Sequence, residues 1–397
     1  MSLLKLINKK SLIVLGLNSG TSADGIDLAA VKIDRLNGKV SARFIKGSAR
    51  KFSPELRLKI IKLSESQSVV MEDIIDTDNR LGESFGRAAM SFLKSLEKEK
   101  IKIDLIASHG QTVRHLPAPA SRAKKKCGTL QIGSLEMISN ITGKLTVGDF
   151  RQADIALGNE GAPITVAAMK RLFAAKNESR LILNIGGISN FFYFPKPNLG
   201  LKVKARDCGP GNSLCDLLSQ KLFNRKFDHN GKIANSGRPS KKILTLIMAE
   251  PFFQGKYVST GKEMFGESLT SKMTALAAKF SVSDSDLLST AAELTVLSIA
   301  HSLKPLIKKD KNIEKLYLTG GGRKNKFFVG RLKELLPQTK IEMADKLGID
   351  ADYIEAASYA VMGEAALRSE PLPTLFTGKD QKQIAVLGKI VQPPVRI

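Results

Sequence analysis

The chain has 397 residues, 43% hydrophobic and 25% charged, the composition of a globular protein too long for one ordinary core. Its formal charge is +24, from 62 Lys and Arg against 38 Asp and Glu, and no apolar run approaches the roughly 18 residues that span a membrane. Three cysteines, Cys127, Cys208 and Cys215, form neither a disulfide framework nor a Cys-x-x-Cys metal pair.

Lys5, Lys9 and Lys10 precede a short apolar stretch, 12–17, that runs straight into a glycine motif. That stretch is too short for a signal peptide, so a cytoplasmic protein is expected. Alternating apolar runs predict strands over 11–17, 27–34 and 42–47. Helices follow over 54–63 and 71–98. A buried strand over 103–107 is expected to end at Ser108-His109-Gly110, and a short one over 144–147 at Gly148-Asp149. Residues 162–175 read as helix, 180–185 and 188–194 as two strands broken by Gly186-Gly187, and 203–206 as a short strand leading to Asp207. Helix is predicted over 212–223 and, with Ser283 as N-cap, over 284–307. The strand 315–318 stops at Gly320-Gly321-Gly322. Helix 324–336, strand 340–343 and helix 352–368 complete the order. The stretch 118–128, rich in Pro, Ala and Lys, is the expected mobile segment. The pattern is α/β, with chemistry-bearing loops at strand ends.

The most informative segment is Gly16-Leu17-Asn18-Ser19-Gly20-Thr21-Ser22-Ala23-Asp24-Gly25-Ile26-Asp27 between two apolar runs. A strand–turn–strand hairpin with glycines, hydroxyls and carboxylates at its tip can cradle phosphate on backbone N–H groups. Asp24 and Asp27 can hold a magnesium ion through water. The same composition also makes an ordinary polar turn. A second such hairpin is Asn184-Ile185-Gly186-Gly187-Ile188-Ser189-Asn190, and the two open halves of a pseudo-duplicated architecture. Thr319-Gly320-Gly321-Gly322-Arg323-Lys324-Asn325 is a flat turn that admits a nucleobase and ribose without side-chain clash. Arg206-Asp207-Cys208-Gly209-Pro210-Gly211-Asn212 sets a carboxylate before a rigid turn and a helix start, as a general base or as a cap. His109-Gly110-Gln111-Thr112 offers polar side chains to sugar hydroxyls, or satisfies its own loop. Serine-hydrolase and P-loop signatures fail: Asp24 stands where the hydrolase motif needs glycine, and Gly255 to Gly261-Lys262 is one residue too long. The basic residues are scattered, with short clusters at 122–126, 241–242 and 308–311. No aromatics interleave with them, so no specific nucleic-acid partner is expected.

Taken in order, these motifs resemble the 1,6-anhydro-N-acetylmuramic acid kinases of the actin/hexokinase/Hsp70 ATPase superfamily. The resemblance runs almost end to end. It includes Ser19-Gly20-Thr21-Ser22-x-Asp24-Gly25-Ile26-Asp27, Ser108-His109-Gly110-Gln111-Thr112, Thr129-Leu130-Gln131-Ile132-Gly133 and Gly148-Asp149-Phe150-Arg151-x-x-Asp154-Ile155-Ala156. It continues through Gly161-Ala162-Pro163, Asn184-Ile185-Gly186-Gly187-Ile188, Asp207-x-Gly209-Pro210-Gly211-Asn212, Asp228-x-x-Gly231, Ser259-Thr260-Gly261-Lys262-Glu263, Gly320-Gly321-Gly322-x-x-Asn325 and Glu355-Ala356.

The resemblance implies two ribonuclease-H-like domains flanking a nucleotide cleft, residues 1–147 with 370–397 packing back on them, and residues 148–369. It implies ATP and Mg2+ as cofactors, a small-molecule sugar substrate, no membrane partner and a homodimer. Gly20, Thr21, Ser22, Ala23, Asp24, Gly25, Ile26, Asp27, Gly186, Gly187, Gly320, Gly321, Gly322 and Asn325 would bind ATP, with Asp24 and Asp27 at the metal. Asp207 would be the catalytic base, and His109, Thr112, Arg151 and Glu355 would meet the sugar. Three departures stand out. Asn18 replaces the usual methionine, Asn159-Glu160 replaces the usual Gly-Gln, and Arg323-Lys324 adds charge beside the adenosine loop. They motivate two alternatives, a catalytically degenerate nucleotide-binding member and a kinase of another amino sugar.

Overall fold

The computed structural model describes residues 3–20, 22–116, 127–254, 262–374 and 383–395. The chain divides into two compact α/β units, Met1–Leu172 with Gly348–Ile397, and Phe173–Leu347. In chain order the strands are β1 (Ser11–Ser19), β2 (Gly25–Leu36), β3 (Lys39–Lys51), β4 (Leu105–Leu116), β5 (Gly128–Ile132), β6 (Thr146–Gly148), β7 (Arg180–Ile185), β8 (Ile188–Phe194), β9 (Lys204–Pro210), β10 (Lys315–Thr319), β11 (Lys340–Met343) and β12 (Lys389–Val391). Six helices bear on the site: α1 (Pro54–Glu65), α2 (Met71–Lys98), α3 (Asn212–Phe223), α4 (Asp284–Lys309), α5 (Lys326–Leu335) and α6 (Ile354–Leu367).

The first unit's sheet runs β12-β6-β4-β1-β2-β3, with β5 added to β4. The second unit's runs β11-β10-β7-β8-β9. In each, three antiparallel strands are followed by two parallel ones. Setting β5 and β12 aside, both sheets follow the order fifth-fourth-first-second-third. That is the ribonuclease-H-like topology, present twice in one chain.

Local chemistry explains the elements. Ser53 caps α1 by accepting from Leu56 N at 3.2 Å, with Pro54 in the first turn. Helix α2 buries Leu81, Phe85, Phe92 and Leu96 in one stripe packed on Leu15, Leu17 and Leu28 of the sheet. Ser283 caps α4 as expected, accepting from Asp286 N at 3.2 Å. Helix α6 is buried along almost its whole length, because small residues let the sheet come close. A Cβ on Gly363 would stand 2.5 Å from Ala107 Cβ.

That packing moves the unit boundaries. Breaks were expected at 147/148 and 369/370; the compact units divide at 172/173 and 347/348. Helix α6 belongs to the first unit because it sits on β1, and segment 148–172 belongs there through tertiary bonds. Thr374 Oγ1 donates to Asp154 Oδ1 at 2.7 Å, and Arg171 pairs with Glu370.

Strand β4 also differs from expectation. It runs from Leu105 to Leu116, through the expected loop, and takes β5 as an antiparallel partner. One extra residue of β4 is accommodated between the Leu17 and Ser19 pairings, a bulge at His109-Gly110 in which Gly110 has φ +70°. Among the described residues, three helices of eight or more residues went unread in the sequence, Leu135–Thr142, Lys241–Met248 and Glu267–Lys279, along with several shorter ones. Of the stretch expected to be mobile, 118–126 lies outside the described residues, and Gly128 opens β5. Among the described residues no helix is long and apolar enough to cross a membrane.

Candidate active site

In the first unit the glycine segment forms the hairpin between β1 and β2, with Asn18 opposite Asp27 in register. The turn is pinned at one end by Gln111. Ser19 Oγ donates to Gln111 Oε1 at 2.5 Å, and Gln111 Nε2 donates to the Gly20 carbonyl at 3.3 Å. Ala23 N closes the turn on Gly20 O at 3.0 Å, and Phe52 N anchors the Asp24 carbonyl at 3.2 Å. A Cβ on Gly20 would meet nothing within 4 Å, whereas one on Gly25 would stand 2.3 Å from the Arg50 carbonyl. Gly20 therefore faces open space and Gly25 serves packing. Ser22 and Asp24 are exposed, and Ala23 and Ile26 are buried. Thr21 lies outside the described residues.

The two carboxylates of this hairpin differ. Asp24 ion-pairs with Arg57 at 3.3 Å on the surface. Asp27 is partly buried, and its carboxyl is pushed up to about 7, first by desolvation and then by Glu355 and Asp352. Among the described residues no cation pairs with it, and its neighbours Glu355 and Asp352 disfavour its charged form.

Glu355 comes from the first turn of α6 and accepts from Asn18 Nδ2 at 2.7 Å. One turn further along α6, Tyr359 stacks on His109 at 4.5 Å between ring centroids and on Phe150 at 5.5 Å. His109 is 5% exposed, and its Nε2 accepts from Arg151 Nε at 3.1 Å. Burial, and then Arg151, hold its pKa well below the usual histidine range, so it stays neutral and acts on Arg151. Arg151 also donates to the Gly161 carbonyl at 3.2 Å. Thr112 Oγ1 accepts from Gln131 at 3.0 Å. Thus β2, β4, α6 and the segment after β6 place Asp27, His109, Glu355 and Arg151 in one unit. Sequence reading missed Tyr359, Asp352 and the pinning role of Gln111. Tyr359 was findable, since it lies four residues from Glu355 on the same helix face.

Of the departure at Asn159-Glu160, Asn159 has a structural partner. Asn159 is 7% exposed and donates to Asp154 Oδ1 at 2.9 Å, while Gly161 N donates to Asp154 Oδ2 at 2.9 Å. Burial, and then Asp154, raise the Glu160 pKa.

In the second unit the Gly186-Gly187 turn joins β7 to β8 and is locked to the start of α3. Asn212 N donates to Gly186 O at 2.7 Å, and Gly211 N to Gly187 O at 2.9 Å. Only glycine fits at 211, where a Cβ would meet Gly186 O at 2.2 Å. Asp207 lies near the end of β9, opposite Asn190, and a bulge at Cys208 follows it. The turn beyond is fixed by Ser189 Oγ, which donates to the carbonyls of Gly209 and Pro210 at 3.1 and 3.0 Å. A Cβ on Gly209 would stand 2.5 Å from Ser298 Oγ of α4. Asp207 is thus half-buried on rigid backbone, the setting a positioned base requires. Desolvation pushes the Cys208 and Cys215 thiols up, so neither is an activated nucleophile.

The Gly320–Gly322 turn lies over the end of β7. A Cβ on Gly320 would meet Asn184 Oδ1 at 2.4 Å, and one on Gly322 would meet Ile185 Cγ2 at 2.3 Å. Gly321 is exposed. Asn325 caps α5, accepting from Phe327 N at 3.0 Å and Phe328 N at 3.3 Å. Arg323 Nη1 donates back to Gly320 O at 3.0 Å. Asp228 accepts from Ile233 N and Ala234 N, each at 2.9 Å, so its motif is a structural turn. Ser259-Thr260-Gly261 lies outside the described residues, and Lys262-Glu263 opens a short helix.

The family model of anhydro-N-acetylmuramic acid kinase matches residues 12–393. The chain belongs to this family. An anhydro-N-acetylmuramic acid kinase of Rippkaea orientalis is 36% identical over 386 residues, covering 96% of this chain and 99% of its own length. Those of Caldanaerobacter subterraneus and Coxiella burnetii are 32% and 35% identical, with coverage of 95% or more on both sides. Among solved structures, component A of the (R)-2-hydroxyglutaryl-CoA dehydratase of Acidaminococcus fermentans aligns over 90% of this chain and 99% of its own. Its identity is 12% and its TM-score 0.42. Anhydro-N-acetylmuramic acid kinases are sugar kinases, and the motifs described above fall within the matched span.

Proposed function

We propose that this chain is an ATP-dependent kinase of 1,6-anhydro-N-acetylmuramic acid that acts in peptidoglycan recycling in the cytoplasm, as a homodimer and without a specific nucleic-acid partner. The observation that carries the reading is the family match from residue 12 to residue 393. In the proposed reaction, water attacks the anomeric carbon and the bond from that carbon to the bridging O6 breaks. The freed O6 takes the γ-phosphoryl group of ATP. The products are N-acetylmuramic acid 6-phosphate and ADP.

Asp207 is assigned as the base that accepts the proton of the attacking water. A carboxylate suits this role where it stays ionised and is held by rigid backbone, and the Gly209-Pro210 turn supplies the rigidity. Phosphoryl transfer is chiefly positioning and charge neutralisation. The turns at Gly20–Gly25 and Gly186-Gly187 are assigned to the phosphates and Gly320–Gly322 to the adenosine. Asn325 supports that loop from its cap position. Arg151, oriented by neutral His109, and Glu355 are assigned to the sugar, with Thr112 at the margin.

The residues fit a magnesium ion at one of the two expected positions. Among the described residues Asp27 has no cationic partner, and a nearby cation would relieve its raised pKa. Asp24 is already paired with Arg57, so the assignment rests on Asp27. When bound, the ion supplies charge neutralisation at the transferring phosphates. The deciding experiment measures ADP release with and without anhydro-sugar. Release that requires the sugar is expected; release indifferent to it would overturn the reading in favour of a nucleotide-binding member without sugar turnover.

A further inference from the structure

Asn18 is 2% exposed, a primary amide near the end of a mostly apolar strand. A buried amide needs partners, and its Nδ2 has one, Glu355 Oε2 at 2.7 Å across 337 positions of sequence. The strand period explains the contact. Gly16 and Asn18 point to the same face of β1, and at Gly16 helix α6 comes so close that a Cβ would stand 1.8 Å from the Ala356 carbonyl. Two residues on, the same face meets the first turn of α6, where Glu355 lies.

Asn18 also sits directly opposite Asp27 in the β1–β2 pairing. Directly opposed side chains in an antiparallel pair share a face, with Cβ atoms about 5 Å apart. The neutral amide therefore borders both carboxylates, Asp27 and Glu355, which repel each other. A hydrogen bond from an uncharged donor fixes one carboxylate without cancelling its charge. It occupies Oε2 and leaves Oε1 to a ligand.

We propose that Asn18 is a positioning residue that orients the Glu355 carboxylate toward the sugar. The proposal rests on the assignment of Glu355 to the sugar. Replacing Asn18 by leucine keeps the branched shape and removes the donor. A hydrogen bond to a charged group is among the stronger ones, so losing its orienting effect lowers kcat/KM for the sugar by roughly tenfold to a hundredfold.

The test is a double-mutant cycle on the full chain with Asn18→Leu, Glu355→Gln and the pair, following sugar kcat/KM, the KM for ATP and the melting midpoint. If Asn18 acts through Glu355, Asn18→Leu lowers sugar kcat/KM in the wild-type background. It then adds less than about twofold in the Glu355→Gln background, and the KM for ATP changes by less than about twofold in both. An unchanged sugar kcat/KM in a folded Asn18→Leu protein overturns the proposal, as does a loss that multiplies fully with Glu355→Gln. So does a loss accounted for by a lower melting midpoint and cured by cooling. If Glu355→Gln alone leaves sugar turnover intact while the wild type is active, the assignment of Glu355 falls and the proposal with it. A wild type without sugar-dependent ADP release would instead remove the functional reading beneath both.

Discussion

Gly16 and the carbonyl of Ala356 are in such close contact that a single added methyl group at residue 16 would stand 1.8 Å from that oxygen. Both partners are backbone, on the central strand β1 and on the buried helix α6, so neither can turn aside. Gly16→Ala should therefore destabilise the protein by about 3 kcal/mol or more, the upper end of overpacking costs. For a unit of this size the melting midpoint should drop by roughly 6 °C or more. Calorimetric melting checks this, and a midpoint within about 2 °C of wild type would mean that α6 is not seated on β1 as described.

Asp207→Asn keeps shape and removes basicity. Turnover should fall by about a hundredfold to ten-thousandfold, the range for loss of a general base. Binding of an ATP analogue should change little, because Asp207 belongs to neither glycine turn. Near-normal initial rates of ADP release would take Asp207 out of the chemistry.

Gly20→Val tests the first phosphate turn. Nothing lies within 4 Å of the position its Cβ would take, so the fold should tolerate it and the melting midpoint should stay close to wild type. Nucleotide affinity should weaken by about tenfold or more, a loss of about 1.4 kcal/mol. Unchanged affinity by titration calorimetry would move the phosphates elsewhere.

Asp27 makes stability depend on pH. Its carboxyl is raised in the fold from 3.8 to about 7, so the folded protein holds this proton more tightly than the unfolded chain does. The resulting stabilisation is complete below about pH 4 and is lost as pH rises to about 7. Asp27→Asn removes that slope and should gain stability relative to wild type between about pH 5 and about pH 8. Magnesium at about pH 8 should raise the wild-type midpoint and leave that of Asp27→Asn unchanged. Parallel pH profiles of the two proteins would show that Asp27 is not perturbed, and an equal response to magnesium would place the ion elsewhere.

The sequence was legible wherever function rests on short-range chemistry. Alternation and glycine placement determined both hairpins, and the motif order determined the family and the residues worth examining. Ser283 as a cap was readable because a cap bonds within three residues. What needed the tertiary structure involves partners far apart in the chain. The extension of β4 past Gly110 depends on β5 as a neighbour and on a bulge, neither of which local pattern encodes. The membership of α6 in the first unit depends on Gly16 and Gly363, whose small size matters only once a helix lies over them. Asn325 emerged as a cap, and His109 as the group that orients Arg151, because these roles depend on which atoms are already hydrogen-bonded. Asn18 looked like a departure from family pattern; only the fold, by placing Glu355 at 2.7 Å from its amide, gave that departure a partner. Sequence fixes which groups a chain carries, while burial and proximity, which set pKa values and hydrogen-bond partners, arise from contacts between segments hundreds of residues apart.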